Sequence, residues 1–129
     1  MNTKLLMTIT AIILGGAGII LSFAPQEVSN YPTFAGASPI TLQILGSVFF
    51  GFAMLNWTAK ANLIGGIYSR PVAIGNFTHF VIGGIALGKL GLKNLNLPYI
   101  WVPAGVYLIL AILFGYVLFH SPVLKKVNN

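Results

Sequence analysis

Residues 71–88 read PVAIGNFTHFVIGGIALG, eighteen consecutive positions without a charged side chain. A run of that length is the signature of a helix that crosses a bilayer, which needs roughly 20 predominantly apolar residues. Working outward, residues 5–26, 28–59 and 94–124 are equally free of charge. Pro, Gly, Asn and scattered cations divide these runs into four apolar segments, at about 4–24, 38–58, 71–90 and 99–119.

The whole composition agrees with that stretch. Of 129 residues 57% are hydrophobic and only 6% charged, against about a quarter charged in soluble domains. No segment shows the sustained alternation of a membrane β-strand, and lipid leaves open sheet edges unsatisfied. The expected fold class is therefore all-α, a polytopic four-transmembrane-helix bundle. It forms a single domain over 1–129 with a short C-terminal tail at 120–129. Lys4, the apolar core and Ser22-Phe23-Ala24 imitate a secretory leader. Pro25 would directly follow the cut, however, and the run exceeds the usual 7–15 residues, so a retained first helix is expected.

The breaks have local causes. Pro25 ends the first helix, Asn30-Tyr31-Pro32 makes an irregular connection, and Pro39 and Pro71 suit the first turns of the second and third helices. Leu97-Pro98 closes the third connection, and Pro103 falls early enough in the fourth helix to be tolerated. Lys4, Lys60, Arg70, Lys125 and Lys126 fall on one side of a four-span topology, and Lys89, Lys93 and the single acid Glu27 on the other. The positive-inside rule then puts both termini in the cytoplasm of a multi-pass cell-membrane protein. Tyr31, Trp57, Tyr68, Tyr99 and Trp101 fall near expected helix ends, where amphipathic rings favour the interface.

Small residues mark expected packing seams: Ala11, Gly15, Gly18 and Ser22 in the first span, Ser47 and Gly51 in the second, Gly84, Gly88 and Gly91 in the third, Ala104, Ala111 and Gly115 in the fourth. In lipid such seams let backbones approach closely, and the expectation is a tight bundle. Gly84-xxx-Gly88 also fits a face for a homo-oligomer. Around the third helix, Ile74, Thr78, Val81, Ile82 and Ile85 share a side suited to lipid, while Asn76, His79, Gly75, Gly83 and Ala86 share another.

Polar groups at membrane depth are costly and mark candidate sites. His79, Asn76, Arg70, Asn56 and Tyr68, with Trp57, Lys60 and Asn62 nearby, fall towards the cytoplasmic half and are the candidate ligand-binding set for a lipid or small lipophilic molecule. The competing reading is packing: a neutral histidine and asparagines can join helices, and Arg70 can anchor at a headgroup. Zero cysteines, two distant histidines, one acid and no phosphate loop leave no expected metal or cofactor and no catalytic set. The net charge of +6 is dispersed along helix ends, which argues against nucleic acid. Three classes of function fit: an accessory or ligand-binding protein, a small-solute or proton-linked transporter acting as an oligomer, and an enzyme using His79 as acid and base on a lipophilic substrate.

Gly15-Gly16-Ala17-Gly18 leading to Phe23-Ala24-Pro25-Gln26-Glu27, a Gly-rich second span, Arg70 at the start of the third and the Lys89-Leu90-Gly91 exit together resemble small bacterial four-span membrane proteins of the DoxX-like kind. The resemblance covers much of the chain in pattern. It implies four helices in a bacterial inner membrane and assigns no catalytic residue.

Overall fold

A computed structural model of the chain describes residues 2–61 and 69–120. Helix α1 spans Thr3–Phe23, the short α2 Pro25–Ser29, α3 Pro39–Ala59, α4 Arg70–Lys93 and α5 Trp101–Phe119. One 3₁₀ turn at Pro32–Phe34 lies in the first connection and another at Pro98–Ile100 leads into α5. The protein is all-α among the described residues, and α1, α3, α4 and the Pro98–Phe119 stretch are long and apolar enough to cross a membrane. Ile12, Ile44, Ile82 and Ile112, one on each span, are at least 60% exposed. A belt of large exposed aliphatics is what lipid solvates and water does not.

Local chemistry sets the ends. The Asn2 side chain accepts from the Leu5 amide at 3.1 Å to cap α1, and Ser38 caps α3 in the same manner with Pro39 in its first turn. Between them the chain turns through Gly36, whose φ of 87° is the only positive value among the described residues. That conformation is open to glycine at little steric cost. Helix α4 runs past the expected stop at residue 90 to Lys93. Gly91 is buried there, and a Cβ on it would come within 3.1 Å of the Trp101 indole, so the missing side chain lets the last turn pack against the start of α5.

The spans pair as two antiparallel hairpins, α1 with α3 and α4 with α5, and the hairpins touch each other far less than their own members do. Packing is therefore uneven rather than tight throughout. The α1–α3 seam is backbone on backbone. A Cβ on Gly18 would lie 2.8 Å from the Phe50 amide nitrogen, and one on Gly46 would lie 2.8 Å from the Gly18 carbonyl oxygen. Such approach gains dispersion contact where the hydrophobic effect contributes little. The expected α3 seam of Ser47 and Gly51 is exposed instead, and nothing lies within 4 Å of a Cβ on Gly51. Gly46, one position earlier, takes that role because the contact face of α3 runs through Leu42, Gly46, Ala53 and Asn56. Gly84 packs on Tyr107 and Leu108 as expected of a seam, whereas Gly88 meets nothing.

The buried core, with Met7, Ala53, Ala73, Phe80, Leu110 and Phe114 at its centre, gathers side chains from all four spans. Given the antiparallel order, it occupies the half of the bundle nearer the chain termini.

Candidate functional site

Asn56 and Asn76, both fully buried, face each other across the two hairpins. Asn56 Nδ2 donates to Asn76 Oδ1 at 2.8 Å, and Asn76 Nδ2 donates back to Asn56 Oδ1 at 3.1 Å. Each amide nitrogen also donates to the carbonyl one turn earlier in its own helix, Phe52 and Val72 respectively, at 2.8 Å. All four amide hydrogens and both oxygens are thus engaged. Every amide hydrogen is spent, and with both side chains fully buried the pair presents nothing to a ligand.

One turn further along α4, His79 faces a different environment. Its Nε2 lies 3.3 Å from Tyr107 Oη, in a hydrogen bond whose donor depends on the imidazole tautomer. Phe52 stacks on the imidazole at 4.9 Å between centroids, Phe49 meets it edge-on at 5.6 Å, and Phe80 closes a third side at 5.1 Å. Tyr107 is seated by Gly83, since a Cβ there would fall 2.7 Å from its Cδ1. A glycine on α4 therefore makes room for the ring whose hydroxyl meets His79.

Beyond this pair the hairpins separate around a cavity of about 690 Å³, within the range of small-molecule sites. His79 and Tyr107 line its end nearer the asparagine pair, Leu14, Phe49, Leu87 and Val106 its middle, and Tyr31, Thr33 and Tyr99 its end nearer the connections. No described lining residue is charged. The cavity lies in the half of the bundle away from the termini, where the first connection and the start of α5 meet.

The structure divides the sequence-derived candidates. His79 lines the cavity. Asn56 and Asn76 come together but line no part of it, Arg70 is exposed at the start of α4, and Tyr68 lies outside the described residues, as do Asn62, Lys125 and Lys126. Of the described candidates His79 alone lines this cavity, because Asn76 and His79, three residues apart, turn to different neighbours. Ile74, Ile82 and Ile85 are exposed as a lipid face requires, whereas Val81 packs against the core.

Tyr107, Phe49 and Phe52 are absent from the sequence-derived set. Tyr107 carried a readable signal: it is a tyrosine well inside the fourth apolar segment, and a buried phenol needs a partner. The two phenylalanines carried none, being indistinguishable from other apolar residues until α3 is placed against α4. Among the described residues no group of three or more His, Cys, Asp or Glu could hold a metal.

The fold and site define a multi-pass, all-α membrane protein with an uncharged cavity between two helical hairpins. No protein-family model, curated protein or solved structure matches the chain.

Proposed function

We propose that this small membrane protein binds an apolar ligand, a lipid or another lipophilic molecule, in the cavity between its hairpins. The observation that carries the reading is the cavity itself: about 690 Å³ of space, walled almost wholly by the carbon surface of aliphatic and aromatic side chains. Bundles that gain their cohesion from close packing lose dispersion energy around open space. Retaining it beside a well-packed core favours an occupant. Transport through an oligomer and acid–base catalysis have no comparable observation in their favour.

The cation distribution supports cytoplasmic termini, which puts the half of the bundle that holds the cavity in the opposite leaflet. The DoxX-like pattern supports a bacterial inner membrane as its setting.

Native mass spectrometry of the protein released gently from its own membrane tests the reading, with Ala17→Phe alongside. Ala17 lines the cavity, and the larger side chain fills part of it. The expected result is a reproducible bound mass on the native chain that the variant loses. Bare protein in both samples, or an adduct that persists in Ala17→Phe, would overturn the assignment.

A further inference from the structure

The cavity is selective through its lack of polar surface. His79 Nε2 and Tyr107 Oη meet each other at 3.3 Å, and the surface that surrounds the open space is almost wholly ring and aliphatic carbon. An oxygen or nitrogen carried into it would give up its hydrogen bonds and find none in return, which is costly. The part of an occupant that lies inside is therefore hydrocarbon.

The position of the cavity along the spans points to the source of that hydrocarbon. Its lining runs from Ile13 to Leu21 on α1 and from His79 to Leu87 on α4, in each case eight residues, or about 12 Å of helix. Half of a roughly 30 Å hydrocarbon core is only slightly deeper. Ile13 and His79 lie near the middle of their helices, whereas the other end of the lining includes Tyr31 and Tyr99 from the connections. Both tyrosines are exposed, and such amphipathic rings settle at headgroup level. Ile13, Leu45 and Val102 belong both to the lining and to the exposed surface, so the cavity shares its walls with the face that lipid covers.

We propose that the ligand is a lipid of the leaflet away from the termini, held by its tail: the plain hydrocarbon chain lies in the cavity with its end towards His79 and Tyr107, and the head stays outside, level with Tyr31 and Tyr99. This deepens the ligand-binding reading of the cavity and rests on it. A head carried inwards would be buried with no described charge to meet it. With the tail inwards the head keeps the depth of its neighbours in the leaflet, and only the chain changes surroundings. That exchange is hydrocarbon for hydrocarbon, so the gain comes from filling space whose walls, Leu14, Leu87 and Val106 among them, otherwise lack dispersion partners.

The test is photolabelling of the full chain reconstituted in phosphatidylcholine vesicles. Two phosphatidylcholine probes are used, one with a diazirine at the end of an acyl chain and one with it beside the ester, and labelled residues are read by peptide mass spectrometry. The chain-end probe is expected to label His79 and Tyr107, and the ester-side probe Tyr31 and Tyr99. Ala17→Phe and Leu87→Trp, which fill the cavity from α1 and α4 respectively, should each abolish both labels while lipid-facing Ile12 and Ile82 are labelled as before. A mid-chain hydroxyl on the chain-end probe should weaken the His79 and Tyr107 label about tenfold, since it would be buried unpaired. The reverse order of labelling, equal labelling of both ends by both probes, or a hydroxylated chain that labels as well as the plain one would leave the cavity as a binding site and overturn tail-inward binding. Cavity labels that are absent, or that persist in both filled variants, would remove the ligand-binding reading itself.

Discussion

The two halves of the interface between the hairpins are built in opposite ways. Near the termini, Asn56 and Asn76 clasp each other beside a core drawn from all four spans. In the far half the same hairpins part around an uncharged cavity with His79 and Tyr107 at its end nearer that clasp. The contrast teaches that cohesion and vacancy are segregated along one bundle. The closed half lets the open half exist, because in lipid a gap between helices must be held by contacts made elsewhere.

The largest expected effect breaks the hairpin on which both halves depend. Gly46→Ile drives a branched side chain into the backbone of α1 and should cost about 3 kcal/mol in reversible unfolding from mixed micelles. Gly51→Ile, on the open side of the same helix, should stay within about 0.5 kcal/mol. Equal costs at the two positions would show that α1 and α3 do not meet through Gly46.

A smaller effect tests the clasp. Asn76→Leu leaves the buried Asn56 amide without its partner and should cost about 1–2 kcal/mol. The double variant Asn56→Leu/Asn76→Leu should cost clearly less than the two single costs added, since neither side then keeps an unmet amide. Strict additivity in that cycle would mean that the pair contributes no coupling between hairpins.

The smallest effect sharpens the picture of the closed half. Thr10 is fully buried on α1, and its hydroxyl has no partner. Thr10→Val preserves the shape, removes the unmet group and should stabilise the protein by about 0.5 kcal/mol. Destabilisation by as much as 1 kcal/mol would reveal a partner for that hydroxyl in the folded protein.

How much of this was legible in the sequence follows from range. The spans were legible because they depend on local composition: residues 71–88 announce a membrane helix without reference to any other segment. Pro39 and Pro71 located the starts of α3 and α4 for the same reason. Which glycine of α3 would meet α1 was not legible, because Gly46, Ser47 and Gly51 are all small and only the rotation of α3 chooses among them. The clasp was half legible: both asparagines stood out as polar groups in apolar runs, yet their reciprocity required α3 and α4 to be placed side by side. The cavity was least legible, since it is defined by where α1 and α3 do not follow α4 and α5.

The asparagine clasp also bears on how the chain assembles. Each hairpin joins helices close in sequence and closes along its own glycine-lined or ring-filled seam, so docking one hairpin on the other is the remaining long-range step. An apolar surface alone would permit that docking at several depths, since leucine, isoleucine and phenylalanine slide past one another with little penalty. A displacement by one helical turn, about 5.4 Å, would separate Asn56 from Asn76 and strand both amides in hydrocarbon. The two side chains therefore act as a vernier: they fix the single depth at which the hairpins meet, and with it the size of the space left open above them.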